Sequence, residues 1–292
     1  MVKYKNILIT GSNGQLGRSI KDISDEFRYN YFFMTKSDLD ITDSKKLEIF
    51  LTNYNINTII NCAAYTNVER AEIDTEHAIK INDKAVGSMV KLCSKLNIQL
   101  IHISTDYVFD GKKRFPYIET DYVKPLNHYG FTKLAAEDKI LKSDLKDSII
   151  IRTSVLYFNN GNCFVNNIID KIINRKVIKV VNDQFSTPTY AGDLARVILK
   201  IIPFIKSDKA DIYHFANIGE CTRFDIAVKI NKILNGKSAI YSSKSENAKT
   251  QRPFYSVLDS KKIIKKFNLR IRNWEEALND YILKQNIELN EI

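Results

Sequence analysis

The chain has 292 residues, 44% hydrophobic and 27% charged, with a formal net charge of +10 at pH 7. These are ordinary globular values, and no apolar run reaches the ~20 residues of a bilayer span, so composition argues against a disordered or membrane-spanning chain. The positive excess is spread along the whole chain with no arginine-rich run, which argues against a dedicated nucleic-acid binder and leaves a mild attraction for anionic ligands such as phosphates. Cys62, Cys93, Cys163 and Cys221 form no C-x-x-C pair, the usage expected of a reducing cytoplasm and not of a disulfide framework or zinc site. Met1-Val2-Lys3-Tyr4-Lys5-Asn6 leads straight into an apolar stretch, so no signal peptide is expected and a cytoplasmic location is.

Asn6–Thr10 reads as a buried strand, followed by Gly11-Ser12-Asn13-Gly14-Gln15-Leu16-Gly17 and a helix to about Ser24. Glycines in such a strand–helix turn permit a tight bend and let backbone N–H groups approach a pyrophosphate. Tyr31–Met34 is expected as the second strand. NAD-binding units place an acid at the end of that strand to hold the ribose hydroxyls; here Thr35-Lys36-Ser37 follows, with no acid before Asp38. Lys36 either faces a 2′-phosphate or is an ordinary surface lysine. Asp40-Ile41-Thr42-Asp43 opens a helix with Thr42 or Asp43 as its N-cap. Thr58–Asn61 is a third strand, ending in Cys62-Ala63-Ala64-Tyr65-Thr66, whose small residues suit either a cofactor against the backbone or close helix packing. One long helix is expected from Asp74 to Leu96; its Asn82 lies either on the surface or in support of a catalytic lysine.

The apolar run Leu100–Ile103 predicts a fourth strand with Ser104 and Thr105 at its carboxyl end, where open α/β sheets place ligands. Tyr129 and Lys133 are spaced i, i+4 at the start of a helical stretch and share a face. A phenol titrates near ~10 and a lysine near ~10.4; an ammonium beside the phenol would lower the tyrosine pKa and fit it for proton transfer. Thr105 supplies a hydroxyl for the same oxygen. Ser148–Arg152 is the fifth strand. This alternation predicts an α/β fold, a doubly wound parallel sheet of Rossmann type, over residues 1–155. Beyond it lie a helix from Phe164 to Asn174, a strand from Lys176 to Val181 and, after Pro188, a helix over Ala191–Ile201. Ile212–Phe215 reads as another sheet strand, and helices follow at Arg223–Asn235, Ser260–Lys265 and Trp274–Ile287. Residues 156–292 are expected to form mainly a smaller C-terminal substrate lobe, with the sheet rejoined near 178–216.

Six motifs stand in order: Gly11-x-x-Gly14-Gln15-x-Gly17, Asn61-Cys62-Ala63-Ala64-Tyr65-Thr66, Ser104-Thr105-Asp106-Tyr107-Val108-Phe109-x-Gly111, Tyr129-Gly130-x-Thr132-Lys133, Asn182-Asp183-Gln184-x-x-x-Pro188-Thr189 and Arg252-Pro253-x-x-Ser256-x-Leu258-Asp259. Together they resemble the extended short-chain dehydrogenase/reductases and, within them, the dTDP-4-dehydrorhamnose reductase family, over essentially the whole chain. The resemblance implies reduction of the C4 ketone of dTDP-4-dehydro-L-rhamnose to dTDP-L-rhamnose, with NADPH as expected cofactor and NADH as the alternative. It implies catalysis by Thr105, Tyr129 and Lys133, with Tyr129 as proton donor. With the readings above, the expected cofactor set is Gly11, Asn13, Gly14, Gln15, Leu16, Lys36, Asp40, Ile41, Ala63, Ala64, Tyr65, Thr66, Tyr129 and Lys133. The expected substrate set is Val68, Glu69, Thr105, Asp106, Val155 and Arg252, the last toward the diphosphate.

Three departures from the family pattern stand out. Val155 occupies the place of a frequent tryptophan beside the sugar, leaving space that is either open or filled by Tyr157 or Phe158. Ser19 and Gly192 stand where some members carry glutamates that bridge a dimer through a metal, so no metal site is expected, and the chain is expected as a monomer or weak homodimer. The acid at the second strand is missing. Two other functions compete: a reductase of another nucleotide-linked 4-keto-6-deoxysugar, and a non-catalytic regulatory subunit resembling that of methionine adenosyltransferase. The intact Thr105, Tyr129 and Lys133 favour an enzyme.

Overall fold

The computed structural model describes residues 4–158, 163–246 and 249–285. In the first half, β1 (Asn6–Thr10), α1 (Gln15–Asp22), β2 (Asn30–Met34), α2 (Ser44–Asn53) and β3 (Thr58–Asn61) alternate as expected. A short α3 (Val68–Ala71) leads into α4 (Thr75–Ile79) and α5 (Ala85–Leu96), then β4 (Gln99–Thr105), α6 (His128–Leu141) and β5 (Ile149–Thr153). The second half holds β6 (Leu156–Tyr157), α7 (Phe164–Ile173), β7 (Ile178–Val181), β8 (Phe185–Ser186), β9 (Thr189–Tyr190) and α8 (Ala191–Ile201). It continues with β10 (Asp211–His214), β11 (Cys221–Thr222), α9 (Arg223–Ile233), β12 (Ile240–Ser243), α10 (Lys261–Phe267) and α11 (Trp274–Lys284).

Six strands make one sheet in the order β2-β1-β3-β4-β5-β10, and every pairing in it is parallel. A parallel sheet covered on both faces needs apolar residues at successive positions, which is what Ile7-Leu8-Ile9 and Ile149-Ile150-Ile151 supply. Their alternation sorts the two faces: Ile7, Ile9, Ile149 and Ile151 pack with α1, α8 and α10, while Leu8, Leu100 and Ile150 pack with α2, α5 and α6. A separate core gathers α7, α9, α11 and the short strands between them. The chain therefore leaves the sheet after β5, returns through α8 and β10, leaves again, returns with α10 and ends on the second core. Because β2 lies on one side of β1 and β3 on the other, the strand order reverses beside β1, and a crevice opens at the carboxyl ends there.

The expected helix over Asp74–Leu96 differs in detail. Asp74 caps it from outside, accepting from the His77 amide at 3.3 Å, and the turn Lys80–Lys84 winds as a π-helix. Asn82 sits in that turn and is neither on the surface nor against the lysine. It accepts from the Tyr65 amide (2.8 Å) and donates to the Tyr65 carbonyl and the Thr132 hydroxyl (both 3.0 Å), fastening the loop after β3 to α6. Of the two candidate caps for α2, Asp43 serves, accepting from the Lys46 amide at 3.1 Å. Helix α3 and the two-residue strands had no counterpart in the sequence reading. Met1–Lys3 and the expected helix end at Ile287 lie outside the described residues. All four cysteines are free, and among the described residues no helix is long and apolar enough to cross a membrane.

Candidate active site

At the end of β1 the chain turns through Gly11 at φ +61°, and a Cβ there would stand 2.7 Å from the Cα of Ala63. Only glycine lets this turn lie flush against the exit of β3. The first turn of α1 carries no acidic residue, so the positive end of its backbone dipole is left for an anion. The Gln15 Oε1 is buried without a hydrogen-bond partner. A cavity of about 740 Å³ opens here, between the sheet edge and the second core. These features fit a dinucleotide: a cradle that a Cβ would fill, a helix N-terminus for the pyrophosphate, and an unpaired buried acceptor.

Strand β4 carries Thr105 and Asp106 to the middle of the cavity, and α6 brings Tyr129 and Lys133 to the same place. Asn127 caps α6 by accepting from the Gly130 amide at 2.8 Å. A Cβ on Gly130 would lie 2.2 Å from the Tyr107 carbonyl oxygen, so this glycine allows the start of α6 to sit directly on the loop that follows β4. Thr105 Oγ1 accepts from the Tyr107 amide at 3.2 Å and donates to Asp106 at 3.2 Å. Asp106 also accepts from Ser154 (2.7 Å) and Ser256 (2.6 Å), and burial pushes its carboxyl pKa up against those bonds. Cys62 lines the cavity too, and burial pushes its thiol up to about 12, so it stays protonated.

Lys133 is buried and donates to the Ile103 carbonyl at 2.6 Å, with His102 Nε2 at 3.1 Å. Burial lowers its pKa to about 8, while Glu137 and Cys62 oppose the shift. His102 is held neutral by burial and by Lys133, and its Nδ1 lies 3.0 Å from the Asn61 amide nitrogen. One turn further along α6, Glu137 forms a buried ion pair with Arg152, Nη2 to Oε2 at 2.7 Å. The expected effect of the lysine on the tyrosine is corrected here. Burial raises the Tyr129 pKa, the Thr105 hydroxyl opposes that, and the charges acting on the phenol are those of Asp106 and Tyr107, not Lys133. The ammonium is turned toward Ile103 and His102 instead.

Most of the expected residues line this one cavity: Gly11, Asn13, Gly14, Gln15, Leu16, Lys36, Asp40, Ile41, Ala63, Ala64, Thr66, Val68, Thr105, Asp106, Tyr129, Lys133 and Val155. Tyr65, Glu69 and Arg252 do not. The Tyr65 ring packs edge-on against His77 at 5.3 Å, and Glu69 forms an ion pair with Arg252. Asp38 folds back on Thr35, accepting from its amide (2.9 Å) and hydroxyl (2.6 Å), and does not line the cavity. Tyr157 and Phe158 are buried in the second core; the aromatics that reach the cavity are Tyr107, Tyr129 and Phe164. Val155 itself adopts φ +41°, a strained conformation for a β-branched residue and of the kind that clusters at functional sites. Arg18 and Arg223 also line the cavity and were missed. Arg18 sits one residue beyond the glycine turn on α1, a position the turn motif pointed toward. Arg223 opens α9, far along the chain, and no motif marked it.

A Rossmann-type sheet with a glycine cradle and a Thr–Tyr–Lys group gathered at its carboxyl edge defines an NAD(P)-dependent oxidoreductase of the extended short-chain class. The family profile described as "RmlD substrate binding domain" matches residues 5–287. A dTDP-4-dehydrorhamnose reductase of Aggregatibacter actinomycetemcomitans is 36% identical over 286 residues, spanning 94% of this chain and 97% of that protein. The spore coat polysaccharide biosynthesis protein SpsK of Bacillus subtilis is 34% identical over 94% of this chain and 96% of its own. The crystal structure of dTDP-4-dehydrorhamnose reductase from Bacillus anthracis in complex with NADP superposes with a TM-score of 0.91 at 33% identity, over 97% of this chain and 100% of that one. The chain belongs to the dTDP-4-dehydrorhamnose reductase family.

Proposed function

We propose that this enzyme reduces the C4 ketone of dTDP-4-dehydro-L-rhamnose to dTDP-L-rhamnose, with NADPH as reductant. The observation that carries the proposal is the convergence of Thr105, Tyr129 and Lys133 on the cavity that also holds the glycine cradle. NADPH supplies the hydride. Gly11, Gly14 and the α1 N-terminus would hold its pyrophosphate, and Lys36 would meet the 2′-phosphate. Burial keeps the Tyr129 phenol protonated at neutral pH, the form a proton donor must have, and its proton passes to the oxygen on C4. Thr105, held between the Tyr107 amide and Asp106, orients that oxygen. Lys133, fixed by the Ile103 carbonyl, would hold a ribose hydroxyl of the cofactor.

The second core supplies Val155, Cys163 and Phe164 to the cavity, joined by Arg223 at the start of α9, and is the sugar side of the site. The enzyme acts in the cytoplasm as a monomer or weak homodimer without a metal bridge, a reading supported by the burial of Ser19 and by the absence of a side chain at Gly192. Val155 favours one second reading, a related nucleotide-linked 4-keto-6-deoxysugar as substrate. The test is Tyr129→Phe assayed with dTDP-4-dehydro-L-rhamnose and NADPH, with the sugar product identified. Turnover is expected to fall by ~10²–10⁴-fold, the usual contribution of a general acid, while NADPH affinity stays within a few-fold. Near-parental turnover would remove Tyr129 from the mechanism.

A further inference from the structure

Besides Lys133 at its centre, the cavity is bordered by positive charge in two places. Arg18 and Lys36 border it on the side of α1 and β2, around the glycine cradle. Arg223 borders it from the opposite side, on the first residue of α9. The expected diphosphate ligand, Arg252, is tied to Glu69 and does not line the cavity.

Arg223 is held as an anion ligand would need to be. Its guanidinium carbon lies 4.8 Å from the centre of the Phe164 ring, a cation–π contact that helps to place the fork. It hydrogen-bonds the Tyr107 phenol, on which the charge of Arg252 also acts, and the Tyr107 ring meets Tyr129 edge-on at 6.2 Å between centroids. Arg223 therefore stands one aromatic ring away from the proton donor. Among the described residues it makes no salt bridge with a carboxylate, while the carboxylate nearest in sequence, Asp225, is engaged by the Thr222 amide and hydroxyl in the capping box of α9. A partly buried guanidinium that faces a cavity and has no carboxylate partner is placed to receive a ligand that carries the counter-charge.

We propose that Arg223, seated on Phe164, is the anchor for the diphosphate of the sugar nucleotide. The assignment rests on the reductase reading and adds to it the residue that selects a diphosphate-linked sugar over a free one. The bidentate match between a guanidinium and phosphate oxygens suits this role, and the separation of Arg223 from Arg18 and Lys36 lets both diphosphates enter one cavity on different cations.

The test titrates dTDP and, separately, inorganic diphosphate into the protein saturated with NADP⁺, by calorimetry, for the parent chain, Arg223→Gln and Arg223→Lys. Loss of one charge-assisted contact corresponds to roughly 10- to 100-fold in affinity. Arg223→Gln is expected to weaken both probes and the KM for the sugar nucleotide by that factor, with the Kd for NADP⁺ unchanged. Arg223→Lys, which keeps the charge without the fork, should fall between. The NADP⁺ affinity serves as the folding control. Parental affinity for both probes in Arg223→Gln overturns the assignment, as does a parent chain that binds neither. A parent that binds diphosphate through Arg223 but reduces no 4-keto sugar nucleotide would overturn the reductase reading and leave the anchor standing.

Discussion

Replacing Glu137 with leucine tests the polar group that locks α6 onto the sheet. Glu137 is fully buried and Arg152 nearly so, with side-chain exposures of 0% and 3%. The carboxylate receives the Arg152 Nε at 3.0 and 3.2 Å, its Nη2 at 2.7 Å and the Ser104 hydroxyl. With the carboxylate gone, Arg152 would face only the neutral His214, 3.4 Å from Nη1, the Glu119 carbonyl at 3.5 Å and the Phe109 ring at 5.1 Å. Removing one partner of a buried pair costs about 3–5 kcal/mol, because the other charge stays buried without compensation. Urea unfolding of Glu137→Leu should show that loss. The double variant Glu137→Leu/Arg152→Met should recover at least half of it, since apolar replacement of both partners removes the desolvation penalty. A loss below about 1 kcal/mol in the single variant would refute the argument. The same substitution has a kinetic signature. Glu137 opposes the burial that lowers Lys133 to about 8, so without it the lysine loses its proton at lower pH. If the ammonium is the working form, the alkaline limb of the kcat/KM profile moves toward acid.

Two further outcomes follow from the cavity. Lys36→Ala should reduce the preference for NADPH over NADH in kcat/KM by roughly tenfold, the scale of one charge-assisted contact, and a parent enzyme that strongly prefers NADH would contradict the role given to Lys36. Val155→Trp should lower kcat/KM on the rhamnose precursor by roughly 10- to 100-fold, since forcing bulk into packed space typically costs ~1–3 kcal/mol and Phe164 already reaches this part of the cavity. A lowered KM in that variant would show the space beside Val155 to be open.

The parts of the site that follow from local periodicity were legible in the sequence. The i, i+4 spacing put Tyr129 and Lys133 on one face, and the glycine turn predicted the cradle. Spacing does not say where a flexible side chain finds its partners, and Lys133 turned to Ile103 and His102 instead of the phenol. Asn82 was left between two placements because regular spacing does not reveal a π turn, which adds a residue to the helical repeat and here turns the side chain to Tyr65 and Thr132. Arg223 was invisible because its meaning depends on α9 folding back beside Phe164, a long-range contact with no local pattern. Glu69 and Arg252 show the converse. Both matched the family pattern, and tertiary structure paired them with each other.

The weaving of the chain between its two cores limits how the molecule can be divided. A fragment ending near residue 155 would keep β1 to β5 but lose β10, exposing the hydrogen-bonding edge of β5 as a template for aggregation. It would also lose α8, uncovering the apolar face that Leu16 and Ile20 of α1 share with Leu194 and Ile198. The second core cannot be exchanged between relatives as a contiguous cassette. A working chimaera would need several crossovers, with α8, β10 and α10 kept from the parent that supplies the sheet.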